Sequence, residues 1–374
     1  MTLNNPLPTL EELGWDSFFM KTFQQVAVPD MMPARIIGQE RNRYKVLYQY
    51  GEGFATISGR ALYRELSNDI RPAVGDWVIV RRPIADNDTV IEAVLPRKTK
   101  ISRQVAGGRD RYAGGHTDEQ VLAANVDIVF IVCGLDNERN ANFRRIERYL
   151  TLVWSAGASP IIILNKVDLC PEISSIANKV EQVAMGVPIV IISATEKIGL
   201  KALEELLVKG KTAVFLGSSG VGKSSIINAL LEEERIKVSE VREIDFRGRH
   251  TTTRRELFLL PKGGMVIDTP GMREIQLWGE EEDVRGTFQD IEQLAHECRF
   301  RDCAHGAEPG CAVQKAIADG VIDSKRLQNY RKLQREIRHL TARQNDKTRV
   351  EEKLKWKKIS QWQKKYQKNK EDMY

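Results

Sequence analysis

The chain has 374 residues, enough for two or three domains of ordinary size, so a sizeable hydrophobic core is available. A hydrophobic fraction of 42% and a charged fraction of 29% exclude a disordered or collagen-like chain. No apolar run approaches the ~18 residues of a membrane span, and Glu11, Glu12 and Asp16 interrupt the opening segment. We therefore expect a soluble, cytoplasmic protein without a cleavable export signal or stable membrane association.

The net charge of +6 is concentrated at the C-terminus. Residues 325–374 contain 17 Lys and Arg against 6 Asp and Glu, a net of +11, which leaves −5 for residues 1–324. Trp356, Trp362 and Tyr366 lie among these lysines. Such a segment favours a polyanionic partner, nucleic acid before a membrane surface, or else forms a solvated helix that keeps the protein soluble.

The first predicted elements are a helix and a small β domain. Residues 1–32 form an N-terminal helical extension whose apolar side chains fit one amphipathic helix. Residues 33–96 contain short β-type runs separated by turn residues, which predict a small barrel, with an OB-like barrel favoured over another small β domain. The helix positions are Leu13, Trp15, Phe18, Phe19 and Phe23, and the clearest runs are Tyr44–Tyr48, Gly53–Ile57 and Asp76–Val80.

A basic, glycine-containing segment follows at residues 97–119, and we interpret it as a mobile linker that could also clasp a phosphate backbone. Residues 120–284 then alternate buried Ile- and Val-rich strands with helices, which predicts a parallel sheet covered on both faces. The predicted strands are Val126–Cys133, Pro160–Leu164, Pro188–Ile192, Thr212–Leu216 and Met265–Ile267; the helices are Arg144–Ser155, Leu200–Val208 and Lys223–Leu231.

A P-loop pattern lies between a predicted strand and a predicted helix, the context that this motif requires. Backbone N–H groups in such a loop point at phosphate oxygens, assisted by the positive end of the helix dipole. Lys223 would reach the β and γ phosphates, and Ser224 would coordinate Mg²⁺. The predicted nucleotide-binding residues here are Gly217, Ser218, Ser219, Gly220, Val221, Gly222, Lys223, Ser224 and Ser225.

Two loops that follow earlier strands favour guanine over adenine. Asp168 can accept hydrogen bonds from both N1–H and the N2 amino group of guanine, a donor pair that adenine lacks. Asn165 would support the base-binding loop, and Lys166 would lie along the base. Ala194 would offer its N–H to guanine O6. The predicted residues are Asn165, Lys166, Val167 and Asp168, with Ser193 and Ala194 after the next strand.

Phosphate-sensing residues follow the P-loop. Asp268 would hold Mg²⁺, and the Gly271 N–H would meet the γ phosphate. The segment Arg249–Thr253 offers a threonine for Mg²⁺; we favour Thr252, with Thr251 and Thr253 as alternatives. Both guanine-reading loops precede the P-loop, the reverse of the order in Ras-like proteins, which a circular permutation explains without changing the site.

Cys298, Cys303, His305 and Cys311 form a fourth motif within 14 positions. Three thiolates and an imidazole are a standard closed set for structural zinc, and we prefer His305 to His296 as the fourth ligand. Cys133 and Cys170 lie apart and are interpreted as packing residues. We assign residues 285–340 to a helical zinc-binding domain and residues 341–374 to a basic tail.

This order of motifs resembles the RsgA/YjeQ family of circularly permuted GTPases that depend on the small ribosomal subunit, over roughly residues 33–340. The resemblance implies GTP hydrolysis that the subunit stimulates, contacts of the barrel and zinc module with ribosomal RNA, and release of a checked subunit. Met272 stands where Ras-type proteins have a water-orienting glutamine. The family is proposed to use a histidine instead, which matches His250, although an RNA contact or a plain loop residue remains open. Nothing in the sequence demands more than a monomer.

Overall fold

The computed structural model describes residues 7–40, 43–58, 71–81, 88–106, 117–136, 142–236, 255–269, 281–306, 308–339 and 341–342. Two compact units divide the chain, the first within Met1–Val105 and Thr117–Leu277 and the second within Ala106–His116 and Trp278–Tyr374. In the described part of the chain, no helix is both long and apolar enough to cross a bilayer.

The elements are named here in chain order. The strands are β1 (Met31–Gln39), β2 (Tyr44–Tyr48), β3 (Gly51–Ile57), β4 (Trp77–Arg81), β5 (Thr89–Val94), β6 (Lys100–Ala106), β7 (Thr117–Ala124), β8 (Ile128–Gly134), β9 (Ser159–Asn165), β10 (Ile189–Ile191), β11 (Thr212–Leu216), β12 (Glu256–Leu259) and β13 (Met265–Asp268). The helices are α1 (Ser17–Val26), α2 (Phe143–Ser155), α3 (Ile173–Val183), α4 (Leu200–Leu206), α5 (Lys223–Leu231), α6 (Glu281–Thr287), α7 (Gln289–Ala295), α8 (Ala312–Ala318) and α9 (324–339), with a 3₁₀ turn at Val167–Leu169.

The first unit begins with a small closed β-barrel. Its strands pair in the order β1-β2-β3-β5-β4, and β4 pairs back with β1 to close the barrel. β3 and β5 run parallel, whereas the other neighbours are antiparallel. Trp77 is completely buried in the barrel, where its ring meets Trp15 edge-on at 4.7 Å between centroids.

The N-terminal segment differs from the predicted single helix. α1 is only 10 residues long and begins after Asp16, whose carboxylate caps the Phe18 N–H at 3.0 Å. Leu13 and Trp15 precede the helix and are buried, and β1 starts at Met31. The aromatic side chains therefore belong to the packing of the barrel, because they cover Trp77.

The rest of the first unit contains the predicted α/β domain. Its strands lie in the order β10-β9-β8-β11-β13-β12, all parallel except β12, which is antiparallel to β13. The Ile- and Val-rich strands β8, β9, β11 and β13 are largely buried, as expected for a parallel sheet, whereas β10 at the edge of the sheet is partly exposed, contrary to prediction. Phe130 stacks on Phe215 at 5.0 Å. Barrel and α/β strands form one continuous sheet, since Gly38 of β1 pairs with Glu256 of β12.

The predicted mobile linker at 97–119 is wrong for its described residues. β6 and β7 form a two-stranded sheet, in which Lys100 pairs with Glu119 at 2.9 Å. Arg97 forms a two-point ion pair with the buried Asp76, with both N–O distances at 2.7 Å. The composition of this segment predicts a mobile linker because the acidic partners of its basic side chains lie far along the chain or on the paired strand.

The second unit is helical in its described residues, as predicted. Phe288 is fully buried and its ring lies 5.3 Å from that of Tyr330. Arg326 of α9 forms a two-point ion pair with Asp290 of α7, at 2.7 and 2.8 Å. α9 is thereby fixed to the helices that precede the cysteine cluster.

Candidate nucleotide and metal sites

Five parallel strands end at one edge of the α/β sheet and bring the predicted loops together. Gly134 at the end of β8 lies beside Asn165 at the end of β9, and Leu164 lies beside Ile191 of β10. On the other side of β8, Leu216 of β11 lies beside Ile131. Because ligands bind at the carboxyl ends of strands in such sheets, this edge is the candidate nucleotide site.

The P-loop connects β11 to α5 at this edge. Gly217 and Gly222 have φ of +154° and +95°, and a Cβ on either would meet a neighbouring atom at 2.5 Å or less. Only glycine fits both the backbone conformation and this close approach. The Lys223 ammonium donates to the carbonyls of Gly217 at 2.9 Å and Ser218 at 2.6 Å, which holds it over the loop. The loop thus has the form of a phosphate cradle with a fixed cation.

Asn165 joins three of the predicted loops through one buried carboxamide. Its Nδ2 donates to the Val221 carbonyl in the P-loop at 2.9 Å, and its Oδ1 accepts from the Ala194 N–H at 3.1 Å. Val167 also donates its N–H to Ile192 at 3.2 Å. The two loops predicted to read guanine therefore lie beside the P-loop, despite their separation in sequence.

Asp168 and Lys166 lie in the loop after β9. Asp168 is exposed within the 3₁₀ turn, at the carboxyl edge of the sheet. Lys166 has a left-handed backbone, with φ +67°, and pairs with Asp136 at 2.8 Å. Ser193 is buried, and its hydroxyl accepts from the Glu196 N–H at 3.1 Å.

Asp268 ends β13 beside the P-loop strand. Burial raises the pKa of its carboxyl, and the nearby positive charge of Lys223 opposes that rise. Ser224, half-buried, is in the first turn of α5. A carboxylate, a hydroxyl and an ammonium at one end of a phosphate loop are the donor set that holds Mg²⁺ and phosphate together.

Two residues at this edge were missed by the sequence analysis. Arg145 of α2 donates from its guanidinium to the Ser218 hydroxyl of the P-loop. Asp136, the partner of Lys166, follows β8 at the same edge. Position after a strand end could have indicated Asp136, whereas no sequence pattern indicates Arg145.

Several predicted residues lie outside the described part of the chain: His250, Thr251, Thr252, Thr253, Gly271, Met272 and the tail beyond residue 342.

The four predicted metal ligands converge in the second unit, with their ligand atoms all within 4.8 Å of one another. Cys298 Sγ lies 3.8 Å from Cys311 Sγ and 3.6 Å from His305 Nδ1. Tetrahedral zinc with ordinary bond lengths requires about 3.8 Å between sulfurs and about 3.6 Å between sulfur and nitrogen. The cluster therefore fits zinc, and the preference for His305 over His296 agrees with it because His296 is not in the cluster.

Local structure prepares these ligands for a metal. Cys303 accepts from the His305 N–H and Cys311 accepts from the Gln314 N–H, each at 3.4 Å, so both sulfurs are oriented by backbone donors. Burial raises the pKa of Cys298, but hydrogen bonds from the Val313 and Ala312 backbones and from Cys311 and Cys303 together outweigh it and lower that pKa overall. Burial raises the pKa of Cys303 to about 11 and that of Cys133, outside the cluster, to about 12.

A P-loop, a guanine-type loop placed before it and a carboxylate at the next strand define a circularly permuted P-loop GTPase. Comparison with known proteins gives the family. A sequence model described as RsgA GTPase matches residues 94–278, and one described as 50S ribosome-binding GTPase matches residues 212–350.

Curated relatives extend this match to nearly the whole chain. The small ribosomal subunit biogenesis GTPase RsgA of Opitutus terrae is 45% identical over 364 residues, covering 95% of this chain and 97% of that protein. RsgA 1 of Oceanobacillus iheyensis is 45% identical over 335 residues, covering 89% and 92%. The chain belongs to the RsgA GTPase family and is a GTP-hydrolysing enzyme.

Two solved structures have a fold similar to that of this chain. The crystal structure of YjeQ from Thermotoga maritima is similar with a TM-score of 0.59 and 28% identity, covering 82% of this chain and 98% of that one. That of YloQ, titled a circularly permuted GTPase, has a TM-score of 0.55 and 26% identity, covering 83% and 96%.

Proposed function

We propose that this chain acts late in the assembly of the small (30S) ribosomal subunit, is activated by that subunit and leaves it when GTP is hydrolysed. The proposed binding of GTP is supported by the Asn165 carboxamide, which joins the P-loop to the loop that contains Ala194. The proposed action on the small ribosomal subunit is supported by relatives named for small-subunit biogenesis, one of which is 45% identical across 95% of the chain.

Guanine selection is assigned to Asp168, which accepts from N1–H and the N2 amino group, with Ala194 donating to O6. Asp168→Asn replaces a carboxylate that only accepts with an amide that also donates. We expect GTP affinity to fall at least ~10-fold, the equivalent of one lost hydrogen bond to a charged group. Xanthosine triphosphate, which carries a carbonyl at C2, should compete better with the variant than with the native chain. Competition against a fluorescent GTP analogue measures both, and unchanged selectivity would contradict this assignment.

Phosphoryl transfer in this site depends on positioning and charge. Lys223 would bind the β and γ phosphates, the P-loop N–H groups would cradle them, and Gly271 would donate to the γ phosphate. Ser224, Asp268 and Thr252 would hold Mg²⁺, which neutralises phosphate charge when bound. His250 would orient or deprotonate the attacking water near neutral pH, a task that Met272 cannot perform.

The flanking modules are proposed to bind the ribosomal subunit. The closed five-stranded barrel is proposed to be an OB-fold, a class in which the face of the second and third strands commonly binds nucleic acid. The Cys₃His cluster is proposed to hold one structural zinc ion, because its interatomic distances suit tetrahedral coordination. Ribosomal RNA would be the contacted component, and a cytoplasmic monomer suffices for this function.

The test is GTP turnover with and without purified small subunits. We expect clear stimulation by small subunits, none by large subunits, and no turnover by Lys223→Ala. His250→Ala should bind GTP normally but lose the stimulation. Absence of stimulation, or greater stimulation by large subunits, would overturn the proposed partner; equal stimulation of His250→Ala would remove His250 from the mechanism.

A further inference from the structure

Arg145 of α2 contacts the P-loop from a neighbouring helix. Its guanidinium donates to the hydroxyl of Ser218, the second residue of the loop at 217–224. The Ser218 carbonyl also accepts from the Lys223 ammonium at 2.6 Å. Ser218 is therefore held through its main chain by a cation of the loop itself and through its side chain by a cation from outside the loop.

The start of α2 is a rigid support for this contact. The Asn142 side chain caps the helix by accepting from the Arg145 N–H at 3.2 Å, which fixes the backbone of Arg145 in the first turn. Ile146, Tyr149 and Leu150 are buried, and α2 packs against β8 and β9. The guanidinium thus extends from a helix that is anchored to the sheet.

The charge of Arg145 lies at the end of β8, beside the start of the P-loop. Within the described part of the chain, no carboxylate pairs with its guanidinium. Its positive charge opposes the rise that burial causes in the pKa of Cys133, near the end of β8. Gly217 approaches the same strand end, since a Cβ there would meet the Val132 carbonyl at 2.5 Å. The helix start, the strand end and the loop therefore meet at one place.

We propose that Arg145 is a positioning residue for GTP: by holding Ser218, it keeps the P-loop in its phosphate-binding shape before the nucleotide arrives. A loop that has the binding shape for only part of the time binds more weakly by that fraction. Once GTP is bound, its phosphate oxygens hold the loop N–H groups in place of Arg145. Arg145 therefore contributes to GTP affinity, while the turnover of bound GTP does not depend on it. This inference rests on the proposed binding of GTP at this loop.

Two single variants of the full chain and their combination test the contact. Arg145→Met removes the guanidinium and keeps an apolar stem, whereas Ser218→Ala removes the acceptor and keeps the charge. Each should raise the Kd for a fluorescent GTP analogue about 10-fold, as expected for one lost hydrogen bond to a charged group. The double variant should lose no more than either single variant, because both substitutions delete the same contact.

Lys179→Met is the matched control, because it removes one positive charge from an exposed position on α3 of the same domain. It should leave the Kd unchanged. The kcat at saturating GTP should stay within about twofold of the native value in every variant, which separates ground-state binding from the chemical step. Thermal unfolding verifies that each variant is folded at the temperature of the titration; if Arg145→Met is not, Ser218→Ala carries the test alone.

Native GTP affinity in Ser218→Ala would overturn the proposal. Losses that multiply in the double variant would overturn it too, since the two side chains would then act independently. A lower kcat with an unchanged Kd, or an equal rise of Kd in Lys179→Met, would also contradict it.

Failure of this inference is distinguishable from failure of the proposed nucleotide site. If Lys223→Ala loses GTP binding while Arg145→Met and Ser218→Ala bind like the native chain, only the role of Arg145 fails. If Lys223→Ala still binds GTP with native affinity, the proposed site itself fails, regardless of the Arg145 variants.

Discussion

Asn165 is a single residue that joins the loops of the candidate nucleotide site. Asn165→Ala would leave the Val221 carbonyl and the Ala194 N–H without this buried partner, which should lower the free energy of unfolding by about 2–4 kcal/mol. We expect GTP affinity to fall ~10-fold or more in a fluorescence titration, because both loops lose their common anchor.

Asn125 provides the control. It also makes two side-chain hydrogen bonds, a buried one to the Gly75 carbonyl and a partly buried one from the Lys98 N–H, but it precedes β8 at the opposite edge of the sheet. Asn125→Ala should lower the melting temperature at least as much, since its backbone is left-handed with φ +54°, yet leave GTP affinity unchanged. Equal loss of GTP affinity in both variants would mean that Asn165 acts through global stability alone.

The P-loop has no room for a side chain at Gly222. A methyl group there would lie 2.2 Å from Asn165 Nδ2, and the backbone φ of +95° disfavours any other residue. Gly222→Ala should therefore abolish measurable GTP binding. Gly186→Ala tests backbone strain alone, because its φ is +74° but no atom lies within 4 Å of an added Cβ. This variant should lose about 1 kcal/mol of unfolding free energy and keep its GTP binding. Normal GTP binding by Gly222→Ala would show that the loop tolerates displacement of Asn165.

Among the helices, α8 depends on Cys311, which belongs to the cluster proposed to hold zinc and is also the N-cap of that helix. Serine is a good N-cap, so Cys311→Ser keeps the cap while removing one ligand. We expect loss of bound zinc by elemental analysis and unfolding of the second unit at lower temperature, because structural zinc sites contribute directly to folding.

Cys170→Ser is the control, since Cys170 lies outside the cluster. It should retain zinc and the native melting temperature, and a chelator should make the native chain resemble Cys311→Ser. Full zinc content in Cys311→Ser, or a melting temperature indifferent to chelator, would reject a structural metal.

Local patterns predicted some elements well and others poorly. The strand Thr212–Leu216 and the helix Lys223–Leu231 were predicted with their observed bounds, because each is a run of mainly apolar residues and the glycine-containing P-loop separates them. The cysteine spacing likewise placed the cluster. β6 and β7 were missed because their pairing partners, not their own composition, make them strands. The contact of Arg145 with Ser218 depends on how α2 lies against the P-loop, which no local pattern encodes.

At the scale of the whole molecule, Arg35 of β1 ties the barrel to the α/β sheet within the first unit. Its guanidinium donates to the Leu13 carbonyl, to the Asn125 carbonyl at 3.2 Å and to the Thr212 hydroxyl at 2.8 Å. Burial lowers its pKa to about 10, so it stays charged at neutral pH. Thr212 begins the strand that ends in the P-loop.

Arg35→Met should lower the free energy of unfolding by about 2–4 kcal/mol, since three buried acceptors lose their donor. Arg81→Met, in the same barrel, breaks an exposed ion pair with Glu92 and should change stability by less than about 1 kcal/mol. Denaturant unfolding of both variants measures the difference. Similar small losses would mean that water or rearranged side chains replace the Arg35 donors.

The pairing of Gly38 with Glu256 has a consequence for dissecting this protein. A fragment begun near residue 120 to isolate the catalytic half would strip the neighbour from β12 and leave a row of backbone donors and acceptors facing solvent. Unprotected strand borders of this kind recruit other chains. Such a fragment is expected to self-associate, because β1 of the barrel would no longer cover β12.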